Sequence, residues 1–559
     1  MDWLVDSLRQ HPELALFLTL AAGYALGGLR LGGIQLGSVI GVLLAGVAIG
    51  QLGIEASEEL KSTFFLLFLF AIGYKTGPQF FRGLRGSGLA QAALTLLLAL
   101  TGLASAIVVS RAFGFDAGTS AGLIAGSLTE SATVGTGGAA LAKLGLEPAA
   151  YELQSTHLTV AFAVTYLVGL ITTIFVLSRL GPKLLGVDLA DECRKLEEEM
   201  GVVREEAGVV SAYFEFIARA YEIPDSFAGR RVSDLEALFA GERVFVERLR
   251  RGRRLLEPDL ELRLAAGDRV VLSGRRQVLV GEGNPLHAHE AEDPELLDIA
   301  TVSLDVVLTN KEYAEKSLRE LAIGVGGRGV FLRKLVRAGQ ELPSTPATTL
   351  ERGDVLTLTG ARARVESVAK TVGFAEWPTD RTDMVTVGFA IVIGGLIGLP
   401  ALEIGRLELG LSMAVGTLLG GLVAGWLRSM SPRFGRIPEP ALWIFDSLGL
   451  NVFIGLVGLS AGPRFVEGLR EAGLALVAGS MLVTTTSLVV TLLVGRHVFR
   501  MHPGVLLGVC AGASTSAPGL AAVQDVAKSR IPTLGYGVSY AVGNVLLALW
   551  GSVIVAVMG

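Results

Sequence analysis

Cysteine, histidine and the common motifs of catalysis are scarce in this 559-residue chain. Its two cysteines, Cys193 and Cys510, lie in different regions, so neither a disulfide framework nor a cysteine metal site is expected. The sequence has no nucleotide-binding loop, nucleophile constellation or metal-ligand spacing. Residues 287–290, His-Ala-His-Glu, are better explained as a solvated polar run than as a metal site. We therefore predict a protein that is not an enzyme and that uses no metal, cofactor or nucleic acid.

Charged residues are also scarce, except in the middle of the chain. Residues 185–380 hold 62 of the 101 charged side chains, and the sequence on either side is strongly apolar. With 51% hydrophobic residues and a mean hydropathy of +0.55, the chain is typical of a polytopic membrane protein with a soluble insert. Residues 1–13 carry three acidic residues and one arginine, unlike a signal peptide, so the first apolar segment is expected to remain as a membrane helix.

The apolar segments form the same series in each half of the chain. A polar, glycine-containing stretch precedes the last segment of each half, at 117–142 and 504–523. The other segments are long enough, or nearly so, to cross a bilayer of about 30 Å. They are residues 14–30, 33–52, 62–81, 88–111 and 156–178, followed by 384–400, 407–426, 441–461, 474–494 and 533–557.

Sequence motifs show that this series is an internal repeat. Residues 77–85, Gly-Pro-Gln-Phe-Phe-Arg-Gly-Leu-Arg, recur at 462–470 as Gly-Pro-Arg-Phe-Val-Glu-Gly-Leu-Arg. Residues 164–169, Val-Thr-Tyr-Leu-Val-Gly, resemble residues 538–543, Val-Ser-Tyr-Ala-Val-Gly. Glycine pairs such as Gly46/Gly50 and Gly421/Gly425 also correspond, and we interpret them as sites of close helix packing.

Lysine and arginine residues predict the orientation. If the N-terminus lies outside and the interrupted stretches are re-entrant hairpins, the basic loops of both halves face the cytoplasm. Five crossings per half then make the repeats inverted, with both termini outside, and the two hairpins enter from opposite faces and meet near the midplane. If the stretches crossed fully instead, the charge pattern would fail in several loops. We therefore expect two inverted repeats, each of five transmembrane helices and a re-entrant hairpin.

The central insert is itself duplicated. Residues 244–274, ending in Gly-Asp-Arg-Val-Val-Leu-Ser-Gly, resemble residues 330–360, ending in Gly-Asp-Val-Leu-Thr-Leu-Thr-Gly. Alternating strands with Gly-Asp turns predict two small α+β domains, on the cytoplasmic side in this orientation. The expected domains are transmembrane repeat 1 at 1–184, a linker helix at 185–205, small domains at 206–285 and 297–374 joined by a linker at 286–296, and transmembrane repeat 2 at 381–559.

The interrupted stretches carry the candidate binding site. Backbone broken by polar residues at membrane depth must be buried in protein or line a watery cavity. Hydroxyl groups there can hydrogen-bond a polar solute, and helices that begin after each break offer free amides to a carboxylate. The alternative is that these small residues only hold helices together. The substrate-binding candidates are Ser127, Thr129, Glu130, Ser131, Thr133, Ser514, Thr515, Ser516 and Pro518.

Charged and amide side chains complete the candidate set. Glu130 corresponds to a serine in the second repeat, and an ionisable group at this depth is functional by default. It can carry a proton, order a cation, hold a substrate ammonium group or serve as a structural carboxyl. Lys75 either meets an acidic side chain or extends to the membrane boundary, where Arg82 lies. Asp446 and Asn451 are further charge partners on the equivalent segment of the second half.

Three motifs resemble those of the bacterial aspartate:alanine exchanger family, over essentially the whole chain. They are residues 70–82 (Phe-Ala-Ile-Gly-Tyr-Lys-Thr-Gly-Pro-Gln-Phe-Phe-Arg), 128–131 (Leu-Thr-Glu-Ser) and 512–520 (Gly-Ala-Ser-Thr-Ser-Ala-Pro-Gly-Leu). The first is most similar to the aspartate/alanine antiporter branch, and the paired small domains resemble the C-terminal (TrkA-C) domains of potassium-uptake regulators. The resemblance implies a homodimer in the bacterial inner membrane that exchanges external L-aspartate for internal L-alanine, electrogenically and by alternating access.

Other functions remain open from the sequence. The family contains members with different substrates, so another dicarboxylate or amino acid is an alternative. An ion channel gated by the cytoplasmic domains is a second, although no repeated carbonyl-filter sequence supports it. A solute sensor is a third. Nothing in the small domains names their regulatory ligand.

Overall fold

A computed structural model describes residues 2–31, 34–35, 37–54, 57–83, 88–200, 216–239, 244–256, 258–281, 283–325, 327–337, 340–377, 381–404, 407–410, 412–431 and 435–559. The chain divides into two compact units. The first comprises Met1–Glu197, Arg337–Pro343 and Thr379–Gly559, and the second comprises Glu198–Val336 and Ser344–Pro378. The apolar halves therefore fold together into one unit, and most of the charged insert forms the other.

The first apolar half consists of helices and one short β-ribbon. Proline begins α2 and α8, where its missing N–H costs no helical hydrogen bond. A π-helical turn, Val176–Leu180, joins α8 to α9. The elements are α1 Asp2–Gln10, α2 Pro12–Gly27, β1 Arg30–Leu31, β2 Ile34–Gln35, α3 Ser38–Gly50, α4 Glu58–Gly83, α5 Gly88–Phe113, α6 Ala117–Ser127, α7 Ala132–Leu141, α8 Pro148–Phe175, α9 Gly181–Leu185 and α10 Leu189–Glu199.

The central insert forms two antiparallel sheets with small helices. The elements are β3 Phe216–Glu222, α11 Val232–Ala237, β4 Phe245–Arg251, β5 Arg254–Leu256, β6 Arg269–Arg275, α12 Arg276–Val280, α13 Pro294–Leu297, β7 Thr301–Leu308, α14 Leu318–Gly324, β8 Val330–Arg337, β9 Gln340–Glu341, β10 Val355–Ala361, α15 Arg362–Val372 and β11 Gly373–Glu376. The strand orders are β3-β6-β4-β5 and β11-β7-β10-β8-β9. The second sheet therefore repeats the order of the first and adds β11 at one edge. Strand β11 ends at Glu376, two residues after the predicted domain boundary at 374.

The segment predicted as a linker, residues 286–296, packs against the first sheet. Leu286 and Leu296 are fully buried in hydrophobic clusters with residues of β3 and β6. Asp293 caps α13 through the amide of Leu296 at 3.0 Å and forms an ion pair with Arg250 at 2.9 Å. Most residues of this segment are polar, so the burial of its two leucines was not predicted.

The second apolar half repeats the element order of the first. It contains α16 Met384–Gly398, β12 Ala401–Ile404, β13 Leu407–Gly410, α17 Ser412–Met430, α18 Glu439–His497, α19 Pro503–Ala513, α20 Ala517–Ala527 and α21 Thr533–Met558. The predicted segments 441–461 and 474–494 lie in one continuous helix, α18, with Pro463 inside it. The sequence analysis expected two separate segments here, and the helix continues through the residues between them.

Seven stretches of helix, among the described residues, are long and apolar enough to cross a membrane: α4 and α5, the helix from Pro148 to Leu185, α17, two parts of α18, and α21. Three predicted spans are shorter, because α2, α3 and α16 have 16, 13 and 15 residues. The predicted starts at 33 and 407 were wrong. The strands Ile34–Gln35 and Leu407–Gly410 precede the two helices, which begin only at Ser38 and Ser412.

The first interrupted stretch folds back as a helical hairpin, α6–α7. A Cβ built on Gly137 of α7 lies 3.1 Å from the Cβ of Ala121 of α6, whereas a straight helix rising 1.5 Å per residue would separate them by roughly 24 Å. Contacts of Gly118 with Gln154 and of Gly126 with Thr165 show that α6 and α8 run parallel. Helix α7 therefore returns to the side where α6 began.

The second interrupted stretch has the same geometry. Gly508 of α19 lies against Pro532, and Gly512 lies against Tyr536 of α21, so α19 and α21 are parallel neighbours. Because α21 starts beside α19, the chain returns along α20, which is the second arm of hairpin α19–α20. Both stretches therefore break the helix at a polar tip rather than crossing the unit straight.

Glycine pairs bring the remaining helices into backbone contact. A Cβ on Gly46 or Gly50 of α3 would overlap the backbone of α18. A Cβ on Gly421 or Gly425 of α17 would overlap the backbone of α4. The prediction that these glycines serve close helix packing is confirmed.

Candidate functional site

The tips of the two hairpins meet through a reciprocal pair of hydrogen bonds. Helix α6 ends at the C-cap Leu128, and α19 ends at the C-cap Ser514. The hydroxyl of Thr129 donates to the carbonyl of Ser514 at 2.8 Å, and the hydroxyl of Thr515 lies 3.4 Å from the carbonyl of Leu128. Each threonine thus satisfies a carbonyl that the other helix end leaves without a helical partner. The two tips are fastened into one structural unit.

Both threonines adopt the left-handed conformation. Thr129 has φ 54° and Thr515 has φ 50°, a region that β-branched residues rarely enter and that costs about 1–3 kcal/mol. Both helix ends are Schellman motifs, where glycine is the usual left-handed residue. Threonine adds the hydroxyl that reaches the opposite tip. The matched amide-to-carbonyl bonds are Thr129–Gly126 (3.0 Å), Glu130–Ala125 (2.9 Å), Thr515–Gly512 (2.9 Å) and Ser516–Ala511 (2.9 Å).

Glu130 gives the two tips different charges. Its side chain is 3% exposed. Oε1 accepts the backbone N–H of Ala132, the first residue of α7, at 3.0 Å. Oε2 is buried and has no hydrogen-bond partner among the described residues. In the second hairpin the corresponding residue, Ser516, caps α20 by accepting the N–H of Gly519 at 3.1 Å.

Three of the predicted hydroxyl groups bond to helices rather than to an open site. Ser127 donates to Ser480 on α18 at 3.0 Å. Thr133 donates to the carbonyl of Leu547 on α21 at 2.8 Å. Ser514 donates within its own helix to Cys510 at 2.9 Å. These contacts match the alternative in which small hydroxyl residues hold helices together.

Two other predicted residues have fewer contacts. Ser131, at the start of α7, makes no side-chain capping hydrogen bond and is 6% exposed. Pro518, in the first turn of α20, is exposed. Both lie beside the break of their hairpin, where a solute that reached the tips would pass.

Lys75 and Asp446 form an ion pair at 2.5 Å between α4 and α18. This is one of the two positions weighed for Lys75, the meeting with an acidic side chain. The backbone of Tyr540 on α21 lies against Gly512 of α19, in the second hairpin. The backbone of Tyr166 on α8 lies against Gly126 of α6 in the corresponding position of the first hairpin.

The two tyrosines occupy matching positions in the internal repeat, which is a sequence signal for their matching contacts. Tyr166 and Tyr540 are the shared aromatic residues of the repeated motifs at 164–169 and 538–543. Asn451, in contrast, bonds Tyr24 at 3.1 Å and the carbonyl of Ser447 at 2.7 Å, so its partners lie on α2 and α18 rather than on a hairpin. The Arg82 side chain lies outside the described residues.

The second helices of the hairpins have different surroundings. Gly135 of α7 lies against the ring of Phe65 on α4, where a Cβ would overlap the ring, and Phe65 stacks on Phe453 at 4.5 Å between centroids. Helix α20 instead exposes small and polar residues, which are Ala517, Pro518, Ala521, Asp525 and Lys528, beside a single valine. The exposed face of α16 carries large apolar residues such as Phe389, Ile393 and Leu396. The face of α20 therefore has the character of a surface that faces water rather than lipid.

Helix α10 docks on the base of the second hairpin. The hydroxyl of Ser529, just after α20, donates to the carboxylate of Glu197. The thiol of Cys193 is fully buried against Gly504 at the start of α19. Burial, together with the charges of Glu197 and Glu192, raises the pKa of Cys193 to about 12, so the thiol stays protonated at neutral pH. Glu198, the residue after this contact, begins the second unit.

Comparison with known proteins identifies the class of the chain. A family described as a predicted permease membrane region matches residues 15–181 and 386–556, and the TrkA-C domain matches residues 219–279. No solved structure matches. An uncharacterized transporter of Shewanella oneidensis is 40% identical over 563 residues and covers 100% of both chains. Others, from Bradyrhizobium diazoefficiens and Zymomonas mobilis, are 42% and 34% identical and cover 92% and 100% of this chain and 100% and 99% of their own. The chain therefore belongs to this permease family, as a multi-pass membrane protein with a TrkA-C domain between its membrane halves.

Proposed function

We propose that the protein is a secondary transporter that exchanges amino acids, with L-aspartate entering and L-alanine leaving, at a site between the hairpin tips. The observation that carries the proposal is Glu130, a buried carboxylate with one unpartnered oxygen at the meeting point of two broken helices. Intramembrane carboxylates at such breaks mark solute pathways. The transporter names of the relatives support transport rather than an enzymatic reaction.

We further propose that the two halves are inverted repeats with cytoplasmic central domains. Thr133 of α7 contacts Leu547 of α21, and further along both helices Leu144 lies against Gly559, so α7 and α21 are parallel. Because α7 folds back on α6, and α6 is parallel to α8, helices α8 and α21 point in opposite directions. This relation supports inversion. The distribution of lysine and arginine supports termini on the outside.

Alternating access follows from the unequal surroundings of the hairpins. The fastened tips move as one body with their bundle, against helices α3, α4, α17 and the first part of α18. In the arrangement described here, α7 is enclosed against Phe65, and α20 presents a small, polar face. The proposed path to the site therefore runs along α20. From the resemblance we retain the homodimer as part of the proposal.

The exchange is expected to be electrogenic. Aspartate carries one net negative charge at neutral pH and alanine carries none. One-for-one exchange therefore moves one negative charge inward per turnover. Reconstituted vesicles loaded with alanine should accumulate aspartate and develop an inside-negative potential, as read by a voltage-sensitive dye.

The test of exchange is the dependence of uptake on internal solute. Vesicles loaded with alanine or aspartate should take up labelled aspartate, and empty vesicles should not. Equal uptake into both would contradict exchange. A current in vesicles without either amino acid would favour the gated ion channel instead.

A further inference from the structure

The N-termini of the two returning helices differ in what already occupies them. The first amide of α7, that of Ala132, is bonded by Glu130. In α20 the cap residue Ser516 bonds the third residue, Gly519, and the first residue, Ala517, is exposed. Helix N-termini attract anions because their first N–H groups lack helical acceptors. The N-terminus of α7 therefore has its anion within the chain, while that of α20 is capped only by a neutral hydroxyl.

The second oxygen of Glu130 points to a cationic group. A buried carboxylate is costly unless its oxygens are paired, because desolvation costs several kcal/mol per ion. Oε2 is buried without a hydrogen-bond partner in the described part of the chain, and the side chain that interacts with this carboxyl, Thr515, is a neutral hydroxyl. The lysine of the neighbouring helix α4, Lys75, is engaged by Asp446 at 2.5 Å. A cationic solute group is the partner that this oxygen lacks.

We propose that the site takes an α-amino acid in one orientation, with its ammonium group on Oε2 of Glu130 and its carboxylate at the N-terminus of α20. The inference rests on the proposed function and adds the orientation and the requirement for an ammonium group. In the reverse orientation the solute carboxylate would meet Glu130, and two like charges at close range repel strongly at low dielectric. The hydroxyl of Ser516 and the amide of Ala517 are the donors at the carboxylate end.

The experiment compares two solutes that differ only in the ammonium group. Proteoliposomes containing the full chain are assayed for counterflow of labelled aspartate and labelled succinate. The wild type should exchange aspartate at least about tenfold better than succinate, since a charge-assisted hydrogen bond contributes about one to two factors of ten in affinity. Glu130→Gln should lower aspartate exchange and bring the ratio of the two rates close to one.

A matched variant controls for the loss of a negative charge. Glu147 lies exposed at the start of α8 and makes no side-chain capping bond. Glu147→Gln should keep the wild-type ratio. Glu130→Asp, which keeps the charge on a shorter side chain, should retain part of the preference. If gel filtration shows that Glu130→Gln is misfolded, Glu130→Asp still tests the preference for aspartate over succinate.

The carboxylate end has its own readout. Alanine and alaninamide differ in the carboxylate, and Ser516→Ala should reduce the preference for alanine without changing the ratio of aspartate to succinate. If Glu130→Gln slows aspartate and succinate equally, or leaves both unchanged, the orientation is contradicted while exchange itself stands. If the wild type shows no counterflow with any solute, the proposed function fails and the orientation fails with it.

Discussion

The two hairpins share a backbone but not their surroundings. Each first helix ends in a Schellman motif with a left-handed threonine that bonds the opposite tip. Helix α7 is then enclosed against Phe65 and carries Glu130 at its start. Helix α20 exposes small and polar residues and is held at its base by α10. A symmetric frame therefore supports a site that differs in charge at its two ends and is enclosed on one side.

The difference assigns separate roles to the two halves of the site. The shared threonines stabilise the frame, because both hydroxyls are directed at helix-end carbonyls. In the proposed site, the unshared residues Glu130 and Ser516 distinguish one end of a solute from the other. A solute with opposite charges at its two ends suits such a site better than a symmetric one.

The largest effect is expected from crowding the enclosed side. Gly135→Leu should reduce exchange by at least about tenfold, because overpacking at a tight contact costs roughly 1–3 kcal/mol and here displaces α7 from the Phe65 ring. Gly138→Leu is the matched control on the same helix, since a Cβ at Gly138 meets nothing within 4 Å. Initial rates of counterflow in vesicles measure both variants. Equal rates for the two variants would show that the contact of α7 with Phe65 is not needed for exchange.

Breaking the fastening between the tips should come next. Thr129→Val keeps the shape but loses the hydroxyl and leaves the Ser514 carbonyl unsatisfied, which should cost about 2 kcal/mol. Thr129→Gly loses the same bond but relieves the left-handed strain, so it should be the more stable of the two variants. Thermal unfolding in detergent compares them.

Thr101→Val serves as control for this pair, because the Thr101 hydroxyl bonds only carbonyls of its own helix, at 2.7 Å and 3.0 Å. It should change the melting temperature little. A Thr129→Val variant as stable as the control would show that the tips are held together by packing alone.

The base of the second hairpin should respond locally. Ser529→Ala removes the bond to Glu197, and a hydrogen bond to a charged group contributes about 1.5 kcal/mol. Amide hydrogen exchange should then become about tenfold faster in both α10 and the residues after α20. Faster exchange in α10 alone would show that this helix does not stabilise the base of the second hairpin. The base of the first hairpin should keep its protection.

The smallest effect is expected from the ion pair between α4 and α18. Lys75 and Asp446 have side chains 34% and 29% exposed, so solvent screens their attraction and the pair should contribute less than about 1 kcal/mol. Lys75→Met should lower stability slightly. The charge exchange Lys75→Asp with Asp446→Lys should restore it, as measured by a double-mutant cycle. A coupling free energy larger than about 1 kcal/mol would show that the pair is important for stability.

Local pattern predicted the breaks in the helices but not what meets across them. Polar, glycine-flanked runs marked the two hairpin tips, and recurring glycines marked the contacts of α3 and α17. The reciprocal bonds of Thr129 and Thr515 join residues nearly 400 positions apart, and no local rule pairs such positions. The ribbons before α3 and α17 were missed because their strands are only two to four residues long and adjoin apolar helices. Tyr166 and Tyr540 were missed because their contacts with Gly126 and Gly512 join different helices.

In the proposed transporter, the solute reaches the hairpin tips along α20. Cys193 and Cys510 are fully buried and should react little with a water-soluble reagent. Labelling of a single introduced cysteine can therefore be measured against a low background. Ala517→Cys should react with a water-soluble maleimide, and aspartate or alanine should slow that reaction. Ala132→Cys, at the corresponding start of α7, should stay unreactive because Ala132 is 2% exposed. Equal labelling at the two positions, or labelling at 517 that a transported solute leaves unchanged, would contradict the account.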